Sequence, residues 1–299
     1  MLTISLEVVL PVFLLIAVGA LLGRTVKPEL RTLNRTALYA AVPALVFSSL
    51  ATAELSAASL GVLVGGQLAI VATMALLSYV GSRLVLKRNA SRRGFVATSV
   101  FSNSANMMLP VALFGFGEAG LERALVLFVL SSVLLFTLGP LVLAGRGAGQ
   151  RPVLPALLKL PVLWAALFGT SFNLLGWTLP TGVMRGAEIL GNAAVPLVLL
   201  TLGVQIQGGG KLAPTRVNWL ATGFKLGLGP LVGHSVGWLV GARGLDLAVL
   251  TLLAAMPPAI NTFMLALEFG GDAEEVARTV TLSTFGALFS LTLVVWLLQ

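Results

Sequence analysis

The residues able to do chemistry in this chain are few, and most are amides and hydroxyls rather than acids or bases. Two apolar segments carry them: Asn103-Ser104-Ala105-Asn106-Met107-Met108-Leu109-Pro110 and Met256-Pro257-Pro258-Ala259-Ile260-Asn261-Thr262. Asn103, Ser104, Asn106, Asn261 and Thr262 donate and accept hydrogen bonds without moving a proton. Pro110, Pro257 and Pro258 remove backbone donors and disfavour helix at the residue before them. Together these residue types suit binding: prolines interrupt a helix, and the amides satisfy freed backbone groups or face a ligand. Half-helix N-termini in such gaps favour an anion and C-termini a cation, so the breaks alone leave the ligand's charge open. The plainer reading of each is a kinked helix whose asparagines only repair the backbone.

Four further side chains stand out. Lys225 is the one cation that falls well inside a predicted span, where charge marks function by default; it either attracts an organic anion, serves as a built-in cation, or snorkels to the interface. Gln67 is either a ligand to substrate or sodium, or an interhelical amide. His234, the sole histidine, sits among Gly229, Gly233, Gly237 and Gly241 and is expected to be packed and hydrogen-bonded rather than a proton relay. Arg123 and Arg278 follow repeated Gly-acid-Ala triplets and read as helix starts. There is no cysteine, which excludes disulfides, thiol catalysis and cysteine-ligated metals. Gly115-Phe116-Gly117-Glu118-Ala119-Gly120 fits a dinucleotide fingerprint in letters only, because no strand precedes it. Without a Walker A sequence, clustered acids or a second histidine, no enzyme and no cofactor is expected.

The elements that hold these residues are read from hydropathy. The 299 residues are 57% hydrophobic and 10% charged, with mean hydropathy +0.99. A soluble domain is about a quarter charged, so the reading is an all-α integral membrane protein. Apolar stretches of about 20 residues predict ten spans, at 3–23, 34–52, 59–85, 95–117, 121–144, 155–176, 187–206, 218–241, 247–269 and 276–298. The net charge of +8 does not indicate nucleic acid, because the basic residues lie between apolar spans. Fourteen of the 19 fall in the first, third, fifth and seventh connections, and Arg278 adjoins the ninth. The positive-inside rule then puts the odd connections in the cytoplasm and both termini outside a plasma or inner membrane. Met1 to Glu7 lack the basic stretch of a cleaved signal peptide.

Short motifs recur in order. Leu10-Pro11-Val12 returns as Leu160-Pro161-Val162, Ala41-Val42-Pro43 as Ala194-Val195-Pro196, and Gly117-Glu118-Ala119 as Gly271-Asp272-Ala273. Their separations match: 32 against 35 residues, then 74 against 75. The expected domains are 1–146 and 152–299, joined by a basic cytoplasmic linker at 145–151. Five helices per copy reverse the second copy's orientation, giving an inverted repeat with broken helices four and nine at matching depth. Paired breaks in such repeats point to a solute carrier's binding site, since irregular backbone survives in lipid only where it lines a cavity or is buried in protein.

These motifs resemble the auxin efflux carrier family, which includes bacterial organic-acid carriers and the plant PIN-FORMED auxin transporters. The likeness rests on Asn103-Ser104 seven residues before Pro110, on Gly117-Glu118-Ala119, and on Ala255-Met256-Pro257-Pro258-Ala259-Ile260-Asn261. The resemblance implies a scaffold and a transport domain, two broken helices crossing at the bilayer midplane, and a substrate carboxylate held by Asn103 and the backbone around Pro257-Pro258. Family members carry malate, malonate or auxin-like acids, and a homodimer is a candidate assembly. Met108 stands where the family pattern often has glycine, which would narrow the cavity.

The expected function is a secondary carrier of small organic anions working by alternating access. The alternative is a sodium- or proton-coupled symporter of the bile-acid type, which shares the expected fold. That type resembles this chain less, because it uses an acidic residue in the ninth-span break, where this chain has only Asn261 and Thr262. An intramembrane enzyme or a receptor lacks the residues or the output domain it would need.

Overall fold

The computed structural model describes residues 5–144, 153–208 and 213–299. The expected linker at 145–151 lies outside them. The described residues form helices joined by short connections, with no β-strand among them. In the first half these are α1 (Leu10–Thr25), α2 (Leu30–Thr36), α3 (Val42–Thr52), α4 (Ala57–Val85), α5 (Asn89–Val100) and α6 (Leu109–Leu143). In the second half they are α7 (Val153–Leu158), α8 (Pro161–Leu175), α9 (Thr181–Asn192), α10 (Ala194–Gly208), α11 (Arg216–Gly223), α12 (Gly229–Leu239), α13 (Gly244–Ala255), α14 (Asn261–Phe269) and α15 (Ala273–Leu298).

Five helical stretches are long and apolar enough to cross a membrane: Glu7–Thr25, Ala57–Val85, Ser104–Leu143, Thr181–Gln207 and Ala273–Leu298. Large apolar side chains stay outside the fold, among them Leu84 at 82%, Phe289 at 77% and Leu174 at 76% exposure. Water would penalise that surface and lipid would not. The chain is an integral membrane protein.

Proline shapes the helices in a consistent way. Four five-residue π-helical turns, Ser5–Val9, Ala37–Ala41, Ser104–Met108 and Phe224–Leu228, each end two residues before a proline: Pro11, Pro43, Pro110 and Pro230. A proline ring clashes with the carbonyl four residues back and cannot bond to it. Widening the preceding turn relieves both problems without ending the helix. Pro110 therefore lies inside helix, and the first break falls earlier than the sequence suggested, at 101–103. The predicted fourth and fifth spans run into α6 with no loop between them. Their divide is Gly117, whose φ of 67° and ψ of −163° are open only to glycine at little cost.

Glycine contacts sort the helices into two packed sets. In one, α1 and α10 meet backbone to backbone: a Cβ on Gly19 would lie 2.2 Å from the Leu200 carbonyl oxygen. Likewise α3 receives α8 at Gly169 and α9 at Gly191. In the other set, α12 packs on α13 through Gly229, Gly233 and Gly237, and α4 meets α13 at Gly66. His234 does not share in this: it is exposed on α12, because only the glycine face of that helix is turned inward. Gly241, with φ 94° and open space around it, ends the chain's turn after α12 instead of packing.

Two polar clusters fasten the second set at helix starts. Ser59 of α4 donates to Asp246 of α13 at 2.8 Å, and Arg123 of α6 donates to the same carboxylate at 2.6 Å. Ser91 of α5 donates to Glu275 of α15 at 2.7 Å, while Asn218 of α11 donates to the Glu275 carbonyl and to Thr279. Ser59, Asp246, Ser91, Asn218 and Glu275 are each the third residue of their helix. The first cluster joins two first-half helices to one of the second half, and the other cluster reverses that. Arg123 thus has a helix-binding role as well as marking a start; Arg278 pairs with Glu274 one turn away on α15. Replacing Asp246 with alanine leaves a half-buried guanidinium unpaired, and the expected loss is about 1–3 kcal/mol. Thermal unfolding of the purified variant would read it, and an unchanged midpoint would refute the fastening role.

Candidate functional site

The two breaks meet. Ser102 and Pro258 pair as an antiparallel bridge, with the Asn103 N–H donating to the Pro257 carbonyl and the Ala259 N–H to the Phe101 carbonyl, both at 2.8 Å. In this register Pro258 occupies a non-hydrogen-bonded position, so its missing N–H leaves no donor lacking. Pro257 supplies only its carbonyl. The prolines therefore end α13 and pin a non-helical segment, 256–259, against 101–103, with α14 starting at Asn261. Asn103 Oδ1 accepts from the Asn106 N–H at 3.2 Å and so starts the helix that follows.

A cavity of about 440 Å³ opens on this junction. The second helix set contributes Gln67, Ser102, Asn103, Ser104, Asn106, Ser131, Lys225 and Asn261, and the first set contributes Arg31, Asn34 and Gln205, among others. Its volume is in the range of small-molecule sites. Six sequence-selected residues thus share one wall: Asn103, Ser104, Asn106, Asn261, Lys225 and Gln67. Pro110, Pro257, Pro258 and Thr262 stand outside it; the prolines shape backbone, and Thr262 is buried behind Asn261 in sequence with its hydroxyl unpartnered. Met108 is fully buried away from the wall, so it does not narrow the cavity.

Lys225 is 1% exposed and donates to Ser102 Oγ at 2.7 Å. It does not snorkel. No carboxylate lies within ion-pair reach of it among the described residues. A buried charge without a counter-charge costs several kcal/mol. Gln67 is an interhelical amide, its Nε2 donating to Ser131 across the α4–α6 contact at 2.7 Å, while its Oε1 is buried with no partner among the described residues. Asn103 Nδ2 is likewise buried and unpartnered. The wall therefore offers a cation, a free donor and a free acceptor. Such a set has the donors and acceptors to hydrogen-bond a small polar ligand.

Ser102 is one of the polar cavity residues that sequence reasoning missed, with Arg31, Asn34, Gln205 and Ser131. Proline and asparagine were the signals used, and they pointed just downstream; a serine between Phe101 and Asn103 carries no turn signal of its own. Ser131 and Ser132, at mid-length in α6, also line the cavity, and a serine inside an apolar helix carries no signal of a site.

The fold and the site describe a membrane protein with a cavity between two helix sets, its lining largely apolar with a few convergent polar groups. The chain matches the membrane transport protein family over residues 4–295, and it belongs to that family, which is the auxin efflux carrier family. An uncharacterized transporter of Methanothermobacter thermautotrophicus is 33% identical over 298 residues, covering 97% of both chains. An uncharacterized transporter of Methanocaldococcus jannaschii is 26% identical over 310 residues, covering 99% of both. A Rhizobium meliloti protein named "Putative malonate transporter" is 27% identical over 312 residues, covering 97% of this chain and 95% of its own. The protein is a membrane transporter.

Proposed function

We propose that the protein is a secondary carrier of small organic anions, with the substrate carboxylate held at the paired breaks by Lys225 and Asn103. The observation that carries this reading is the buried, carboxylate-free Lys225 beside an unpartnered Asn103 amide on one cavity wall. The Gln67 carbonyl oxygen then meets a hydroxyl, N–H or protonated carboxyl on the substrate. The name of the Rhizobium relative supports a small dicarboxylate such as malonate as the first acid to try.

The ten spans run as two inverted five-helix repeats, 1–146 and 152–299, with both termini outside. The half-exchanging polar clusters support that arrangement, as does the antiparallel meeting of the two breaks. The set containing α4–α6 and α11–α15 moves as the transport domain, and the set containing α1, α3 and α8–α10 serves as the scaffold. Because the cavity draws its wall from both sets, sliding one past the other exposes it to each side in turn. The carrier is a uniporter or efflux carrier; no Asp or Glu is among the described residues of the cavity wall, which favours this over carboxylate-mediated sodium or proton symport.

Uptake of malonate and related acids into proteoliposomes tests the proposal. Asn103→Ala and Asn261→Ala are each expected to slow flux at least tenfold, as lost hydrogen bonds to a charged group weaken binding by about 1.5–3 kcal/mol. Wild-type flux in both variants would refute the site. Flux that depends on a sodium or proton gradient would select the symporter instead.

A further inference from the structure

A second cavity, of about 750 Å³, lies away from the substrate site, between the C-terminal part of α4, the start of α5, the end of α6 and Gly270. Three guanidiniums line it, from Arg83, Arg92 and Arg93, together with Tyr79, Ser82 and Asn89. Each arginine is held in place by a neutral partner. Arg83 lies 4.9 Å over the Tyr79 ring, Arg92 donates from Nε to the Leu86 carbonyl at 2.7 Å and from Nη1 to Asn89 at 3.3 Å, and Arg93 reaches the Gly270 carbonyl at 3.5 Å. None of the three has a carboxylate within ion-pair distance among the described residues. The Arg93 Nε is buried with no acceptor.

Three like charges gathered with no counter-charge among the described residues repel one another, and a buried guanidinium N–H without a partner there is costly. Both costs vanish when a multi-oxygen anion enters, since phosphate oxygens accept from several guanidiniums at once. The surroundings say which phosphate. Leu76, Val80, Leu84 and Leu141, on the same two helices, are large apolar side chains left exposed, so acyl chains beside the cavity would find lipid-like contacts. The cavity also sits at the end of the molecule that its basic connections assign to the cytoplasm, where anionic lipid head groups are recognised by basic pockets between helices.

We propose that Arg83, Arg92 and Arg93 form a phosphate-binding site for the head group of an anionic phospholipid, separate from the transport cavity. The site does not depend on the identity of the transported solute. The test is thermal unfolding of the full-length protein in detergent, titrated with phosphatidylglycerol, phosphatidylcholine or inorganic phosphate, since a ligand of the folded state raises its stability. Phosphatidylglycerol is expected to raise the unfolding midpoint more than phosphatidylcholine does. Arg93→Gln and Arg83→Gln are expected to raise the half-saturating lipid concentration at least tenfold. Arg83 is exposed and lies over the Tyr79 ring, so its variant keeps the test valid even where Arg93→Gln fails to fold. A shift produced equally by inorganic phosphate would assign the site to a free anion and overturn the lipid source. Equal shifts with the two lipids, or a phosphatidylglycerol shift unchanged in the variants, would overturn the site altogether.

Discussion

Lys225→Met is expected to abolish organic-anion transport while leaving the purified protein at least as stable as the wild type. The two effects have opposite signs for one reason. In the empty carrier the amine is buried, with the Ser102 hydroxyl as its partner among the described residues, and replacing buried ionic groups with well-packed apolar side chains of similar volume is often neutral or stabilising by about 1–4 kcal/mol. In the proposed loaded carrier the same group pairs with the substrate carboxylate. Losing one partner of a buried charge pair costs about 2–5 kcal/mol, or roughly thirtyfold or more in affinity. Radiolabelled uptake together with a melting curve checks both halves. Wild-type uptake would remove Lys225 from the site, and lost uptake with a lowered midpoint would make it a structural residue.

Gly203→Ala is expected to disrupt the contact between α1 and α10 more than any single methyl added elsewhere in that interface. A Cβ at position 203 would lie 2.0 Å from the Ile16 carbonyl oxygen and 2.6 Å from the Ala20 nitrogen, where carbon contacts ordinarily settle near 3.5–4.0 Å. The obstacle is backbone, so no rotamer change can make room. Overpacking of this kind costs about 1–3 kcal/mol, occasionally more, and small residues at such crossings are what let membrane helices approach. Gly65→Ala is the control: nothing lies within 4 Å of the added methyl, and alanine favours helix over glycine by up to about 1 kcal/mol. Equal unfolding midpoints for the two variants would show that α1 and α10 are not in close contact.

How far the site was legible follows from where its signals lie in the chain. The proline pair and the asparagines are local features, and each restricts backbone wherever it is placed, so both interruptions could be read in one dimension. Their exact positions could not. Pro110 resembles a helix breaker in sequence, yet the turn before it widens and the helix continues; that choice depends on the helix packing around it. Asn103 and Asn261 were found for the same local reason that hid Ser102, whose role exists only because Pro258 lies opposite it.

Burial of charge is non-local as well. The span pattern put Lys225 inside apolar sequence but left it free to snorkel, and only the approach of Ser102 from the other half fixes it at the cavity. His234 was misread in the same way: a helix with glycines on one face predicts close packing, but not which side chains share that face. What the chain alone determined is its solvent, its helices and the two places where they stop, because hydropathy and proline act through the residues themselves. What the tertiary structure decided is which groups lack a partner among the described residues, Asn103 Nδ2 and Gln67 Oε1 among them, and which one Lys225 finds, because partners are supplied by distant segments of the fold.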